Sequence, residues 1–320
     1  MSVLVCGEAI VDLFVDVDER TMQAQPVLGG SPYNVAIGLA RLGVSTAFFG
    51  GLSSDLFGAA IRSRLVAEGV DIAHSIETER LTTISIVGRN AQGLPAYAFH
   101  GEGKADRSVD VADLPKELDH HIRAIAMGSF TLAVEPVASA HLALARREAG
   151  SRLISIDPNL RPTVTPDLAD WRRRFAAFVP CAGIIKASDE DLATAFPGTA
   201  HRDLTESWLA AGVELCIITH GDKGAVAWRR GREPVVEAGR PVEVVDTVGA
   251  GDSFHAGLLA RLDQLGLLSR EGLSELDDAQ LSEVLAFAVT ASALTCSRRG
   301  SEPPRSSEML RRSAATDIAR

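Results

Sequence analysis

The chain has 320 residues, enough for one large α/β unit or two ordinary domains, and 46% of them are apolar, so a full core can be buried. Lysine and arginine number 32 against 42 aspartates and glutamates, and the net charge of −10 offers no positive field for nucleic-acid phosphates or an anionic bilayer. Nucleic-acid and membrane partners are therefore not expected. The start MSVLVCGEAIVDL has no basic n-region or cleavage site, and no apolar run reaches about 18 residues, which predicts a cytoplasmic protein.

The first strand covers 3–7 (VLVCG), and Asp12 closes the apolar stretch that follows, where its carboxylate either binds hydroxyls or is solvated at a sheet end. In Gly29-Gly30-Ser31-Pro32-Tyr33-Asn34, Ser31 predicts an N-cap and Pro32 the first helical residue, with Val35, Ala36, Leu39, Ala40 and Leu42 at helix period up to Gly43. A cap does not account for two glycines and an amide, which let the backbone crowd a ligand while Asn34 exchanges hydrogen bonds. A strand follows at 45–51. Residues 82–88 and 95–100 then read as a hairpin around the turn NAQG at 90–93. The polar, glycine-rich GEGKAD suits a flexible flap beside it, so a lid is expected over about 84–108, with 12–18 as a second contribution.

Further strands at 124–129, 153–157, 183–188 and 216–221 alternate with helical stretches, which predicts a parallel sheet covered by helices. Asp157, Ser188 and Thr219 would close strands at the edge where open α/β sheets bind ligands. Cys6, Cys181, Cys216 and Cys296 show no C-x-x-C spacing and read as small buried hydrophobes; His120 and His121 read as surface residues. A helix starting near Asp252 is predicted from Phe254, Leu258, Leu262 and Leu265, ending at Gly266. Gly249, Ala250 and Gly251 just before it can bring N–H groups close to an anion at the positive end of the helix dipole. Asp252 is then either a base for a hydroxyl beside that anion or an N-terminal cap. A charged, frayed tail is expected after Pro304. The P-loop pattern, the dinucleotide fingerprint after the first strand and the hydrolase nucleophile elbow are all absent.

GGSPYNVAIGLARLG and DTVGAGDSFHAGLL resemble the two signatures of the ribokinase-like (PfkB) carbohydrate kinases, and the likeness runs over nearly the whole chain in the same order. GLSSDLFG, DPNLRP and KASDEDL are most similar to bacterial fructokinases, with Ser53 where the family often has Gly. The resemblance implies a single three-layer α/β domain over 1–320, with a mostly parallel central sheet and a small β-lid. It implies transfer of the γ-phosphoryl of ATP to a sugar hydroxyl, with fructose as the first choice. A 2-keto-3-deoxygluconate kinase, or another sugar or nucleoside kinase of the family, is the alternative; a non-enzymatic sugar or nucleotide sensor is the alternative from another class. Relatives that take the acidic sugar carry an Arg after the lid aromatics, whereas here Gly101 follows Tyr97-Ala-Phe99-His100.

Carried over residue by residue, the resemblance makes Asp252 the base, Gly249, Ala250 and Gly251 the anion hole, and Arg161 of Asp157-Pro-Asn-Leu-Arg161 the phosphate-facing cation. Asp12, Gly29, Gly30, Asn34 and His100 of the lid become sugar ligands; Ser188, Thr219, Gly221 and Gly224 become nucleotide contacts. Asp191, in Ser188-Asp-Glu-Asp191 where the family has N-x-x-E, is the implied Mg²⁺ residue, and Asp246, Val248 and Gly300 form the implied K⁺ loop. Val289 replaces an Asn of the adenine region, and Pro304 stands where some relatives offer a seryl hydroxyl. ATP, Mg²⁺ and K⁺ are the expected small-molecule partners besides the sugar, and a homodimer through the lid is implied.

Overall fold

The computed structural model describes residues 2–17, 22–89 and 95–311. The chain opens on β1 (Ser2–Cys6), crosses into β2 (Ile10–Val17) and β3 (Met22–Gly29), and enters helix α1 (Ser31–Arg41). β4 (Ser45–Phe49), β5 (Gly51–Ser53), α2 (Leu56–Ala67), β6 (Ile76–Thr78), β7 (Ile84–Arg89) and β8 (Pro95–His100) follow. The alternating middle comprises β9 (Ile122–Gly128), α3 (Val137–Glu148), β10 (Leu153–Asp157), α4 (Leu168–Phe178), β11 (Ile184–Ser188), α5 (Asp189–Ala195), α6 (His201–Ala210) and β12 (Leu215–Thr219). β13 (Gly224–Trp228), β14 (Val235–Ala238), α7 (Ala250–Gln264), α8 (Arg270–Glu275) and α9 (Asp278–Cys296) complete the named elements.

Eight strands form one sheet in the order β14-β13-β12-β11-β10-β9-β1-β4, parallel from β4 through β12 and antiparallel at the β13–β14 end. Period-two alternation divides each central strand between two cores. Val3, Val5, Ala124 and Ala126 join one core with Phe254 and Leu258 of α7 and Leu285 of α9. Leu4, Cys6, Ile125 and Met127 join the other with Leu144 of α3, Trp171 and Phe175 of α4 and Trp208 of α6. The result is the expected three-layer α/β arrangement. α9 is long and apolar enough by composition to cross a membrane, but it packs along α7 and against β14 within the first core.

A second sheet, ordered β3-β2-β7-β8, stands beside the first. It contains the expected β7–β8 hairpin, whose turn lies outside the described residues, and adds a β2–β3 pair that is larger than the 12–18 segment predicted. Asp12 is therefore the third residue of a lid strand, because the chain breaks at Gly7 and changes sheets before Ile10. The stretch after β8 is not a loose flap. Ala105 and Asp106 are buried, Ala105 N–H donates to the Leu81 carbonyl at 3.0 Å, and the Thr83 hydroxyl bonds the Asp106 carboxyl, which burial pushes up to about 6. Of the tail expected to fray after Pro304, the described part is ordered: residues 306–311 are helical, Met309 is buried in the core, and Glu308 pairs with Arg298, while the remainder of that tail lies outside the described residues. Three cysteines are buried as expected, whereas Cys296 is half-buried.

Candidate active site

A cleft of about 2050 Å³ runs between the lid sheet and the carboxyl ends of the parallel strands. Its floor is the start of α7. Gly249 is the N-cap, with φ at +76° in the left-handed region, and a Cβ there would strike Ser301, so only glycine fits. The helix begins at Ala250, two residues before the predicted start, which puts Asp252 in the first turn. Ala250 N–H donates to the Thr247 carbonyl at 3.2 Å; the amides of Gly251 and Asp252 have no backbone acceptor among the described residues and point out of the helix end. Asp252 does not cap the helix. Its Oδ1 accepts from Ser31 Oγ at 2.7 Å and its Oδ2 from Asn34 Nδ2 at 2.8 Å. Burial raises the pKa of Asp252 and Asp157 adds to this, while Ser31, Asn34 and Lys186 work against the rise.

Ser31 is displaced from its expected capping role for the same reason. Gly30 is the N-cap of α1, Ser31 is the first helical residue, and its hydroxyl serves Asp252. Beneath Ser31 lies Glu8, wholly buried, with Oε1 accepting from Ser31 N–H at 3.3 Å; burial pushes its carboxyl up to about 8. Sequence reasoning missed Lys186. Its buried Nζ pairs with Asp157 Oδ2 at 2.6 Å and lies 3.1 Å from where a Cβ on Gly251 would stand. The available signal was a lysine inside the apolar strand IIKAS, since a buried ammonium has to be paired. His255, one turn beyond Asp252, hydrogen-bonds Ser155 Oγ at 2.7 Å and is held neutral by burial, with its pKa lowered to about 4.

At the lid end, Asp12, Gly30 and Asn34 line the cleft with Phe99 and Phe130, whose rings meet edge to face at 5.3 Å. Gly29 does not line it but backs Asp12, whose Oδ2 would lie 2.7 Å from a Cβ there. His100 is a correction. Strand alternation turns it away from Phe99, so it is exposed and not part of the cleft wall. A cation does stand near this end, because the Arg107 guanidinium lies over Phe99 at 5.1 Å and Phe130 at 5.2 Å.

The other end holds the remaining sequence-derived residues. Ser188, Asp191, Thr219, Gly221 and Gly224 line it, and Arg161 lies between the two ends, where its charge acts on Asp12 on one side and Asp191 on the other. Ser188 caps α5, accepting Asp191 N–H at 3.0 Å, and the Asp191 pKa is raised first by burial and then by Asp157. Gly224 has φ at +103° against the Glu237 carbonyl, which again demands glycine. Val289, Ala293 and Cys296 of α9 with Val244 give an apolar wall opposite. Asp246 joins two loops, its Oδ1 accepting from Val248 N–H at 3.1 Å and its Oδ2 from Gly300 N–H at 2.8 Å; Asp246 and Val248 line the cleft and Gly300 sits behind them.

With both signatures placed on one cleft, the family follows from comparison, since the pattern of pfkB family carbohydrate kinases matches residues 1–308. The chain belongs to this family. Among curated pfkB relatives, the fructokinase of Rhizobium leguminosarum bv. trifolii is 39% identical over 280 residues, covering 87% of this chain and 85% of its own. The crystal structure of a fructokinase with bound ATP from Xylella fastidiosa superposes with a TM-score of 0.88 at 23% identity, covering 100% of this chain and 99% of the other, and so shares the fold. A fructokinase from Vibrio cholerae O395, in a form with bound fructose, ADP and calcium ion, has a TM-score of 0.80 at 25% identity and covers 97% of this chain and 98% of its own.

Proposed function

We propose that the protein is an ATP-dependent fructokinase, transferring the γ-phosphoryl of ATP to fructose to give fructose 6-phosphate. The observation that carries this is Asp252, a buried carboxylate between the α7 amides on one side and the Ser31 and Asn34 donors on the other. A sugar hydroxyl at that point gives its proton to Asp252 as its oxygen forms the new bond to phosphorus and the bond to the ADP oxygen breaks. Such a transfer needs positioning and charge neutralisation more than covalent chemistry. The amides of Gly251 and Asp252, with Lys186 and Arg161 beside them, supply fixed positive ends, while Asp12 holds sugar hydroxyls and would repel an acidic substrate.

Oxygen donors at the nucleotide end fit Mg²⁺, with Asp191 as the residue to hold it and Glu190 near it on the cleft wall. Bound there, the ion would spread the charge of the phosphate oxygens. Both oxygens of Asp246 already accept N–H groups, so K⁺ between these loops would draw chiefly on backbone carbonyls, a donor type that suits it. The edge strands β3 and β8 leave a lid able to pair with a second copy, which supports a homodimer through the lid.

The test compares kcat/KM with ATP for fructose, ribose, tagatose, 2-keto-3-deoxygluconate and adenosine, with fructose expected highest. A keto acid preferred over fructose by about tenfold, equivalent to about 1.4 kcal/mol, overturns the assignment. Asp252→Asn measured alongside should lose about 10²- to 10⁴-fold in kcat while still binding fructose.

A further inference from the structure

Ser301 lies where the chain leaving α9 passes beneath the head of α7, and its neighbours fix it there. Gly300 N–H donates to Asp246, and the Arg41 guanidinium donates to the Glu302 carboxylate at 2.7 Å and the Pro303 carbonyl at 2.8 Å. On the other side Ser301 packs so closely on Gly249 that no side chain fits between them. Its hydroxyl donates to Asn34 Oδ1 at 2.9 Å, and Asn34 Nδ2 donates to Asp252 Oδ2 at 2.8 Å. An amide can present either its oxygen or its NH₂ group to a neighbour. The Asp252 carboxylate, which only accepts, draws the NH₂ group of Asn34 toward it, and the hydroxyl of Ser301 donates to the amide oxygen left on the far side, which polarises the amide and strengthens its N–H donor.

We propose that Ser301 is a positioning residue: by donating to the Asn34 oxygen it anchors and polarises the amide whose NH₂ group donates to Asp252, and so keeps the base in its proton-accepting form. This rests on the reading of Asp252 as the base. Other groups face Asp252 from every side. Asp157 at the end of β10 and Asp12 on β2 oppose its charge, and Lys186 on β11 and Ser31 on α1 favour it. His255 on α7 itself stays neutral, and the buried α9 contact at Thr295 is to the Ser253 hydroxyl. None of these touches Ser301 through a hydrogen bond, so a change at Ser301 reaches Asp252 through Asn34.

The experiment is the pH profile of kcat with fructose and ATP for wild type, Ser301→Ala and Ser301→Thr. Losing one hydrogen bond from the relay should raise the acid limb by about half a pH unit, which is about threefold in kcat below the limb. The alkaline plateau and both KM values should stay within about twofold, and the threonine variant, which keeps the hydroxyl, should return the limb to its wild-type position. A limb in Ser301→Ala that coincides with wild type overturns the proposal, as does a loss equal at all pH values. Should the alanine variant fail to fold, Ser301→Cys, which retains a weak donor, should show an intermediate limb, and an unmoved limb there counts against the relay equally. Wild type without sugar-dependent ATP turnover would remove the kinase reading itself, whereas active wild type with an unmoved variant limb removes only the role of Ser301.

Discussion

Lys186 and Asp157 form a buried ion pair whose side chains are 4% and 3% exposed. Removing one partner of such a pair leaves a charge in a poorly solvated place and typically costs about 3–5 kcal/mol, whereas removing both is often close to neutral. Lys186→Met should therefore lower the urea midpoint sharply, and Lys186→Met with Asp157→Asn should recover most of the loss. Additive losses would show that the two groups are solvated separately. Recovered stability without recovered kcat is expected, because the ammonium also stands beside Gly251 at the head of α7, where phosphate charge develops. At this scale the sequence was readable where residue type is unusual for its place and opaque where direction matters. Gly249 to Asp252 and Asn34 declared themselves by small residues and amides at helix starts. Which of Phe99 and His100 faces the cleft depends on the sheet they join, and the polar side chain was the wrong choice. Lys186 stayed hidden because apolar periodicity averages over a single charge in a strand.

Elements with a buried face were legible, and those with both faces near water were not. β1, β9, β10, β11 and β12 are short apolar runs, and each lies in the central sheet as expected. β3, with the sequence MQAQPVLG, has two glutamines and a proline and no alternation to read. Such a strand is held chiefly by its pairing with β2, helped by Leu28 packing on the core and Arg299 bonding Gln25, and it sits at an edge, where Pro26 opposite Leu13 does little harm. The segment 101–108 misled for the opposite reason, since Gly101 and Arg107 serve close packing rather than mobility: a Cβ on Gly101 would strike Arg107 and the Phe99 ring, and Arg107 stacks on two rings. This difference predicts a boundary within the lid. Amide hydrogen exchange with and without fructose should show sugar-dependent protection over 84–88 and 98–100, while Ala105 to Arg107 stay protected in both states. Protection that changes equally on both sides of Gly101 would mean that the lid and this segment move as one piece; no change on either side would mean that the lid does not close on sugar.

Across the whole molecule, the first and last parts of the chain form one half of the fold, and this could not be read from either part alone. Asn34 and Asp252 are 218 residues apart and share a hydrogen bond, which α1 and α7 make possible by packing side by side over one face of the sheet. Sequence pattern supplied both helix starts; only the family resemblance placed them together. The closing segment secures that half from outside. Arg41 of α1 and Glu68 just beyond α2, each with a side chain 6% exposed, bond each other at 2.7 Å; Arg41 also holds Glu302, and Arg305 reaches Glu68 at 3.0 Å. Met309 inserts into the core behind them. Burying a methionine side chain is worth about 1.5–3 kcal/mol, exposed ion pairs add about 0–1 kcal/mol each, and removal also opens core atoms to water. Ending the chain after Arg305 should thus lower stability by about 2–4 kcal/mol, read as a lower urea midpoint with one cooperative transition. Because Gly300, Ser301 and Pro303 remain, kcat at the alkaline plateau should persist below the unfolding range. A midpoint equal to that of the full chain would mean that 306–311 contributes nothing in solution. A midpoint held while kcat falls would mean instead that the segment acts on the relay from Ser301 to Asp252.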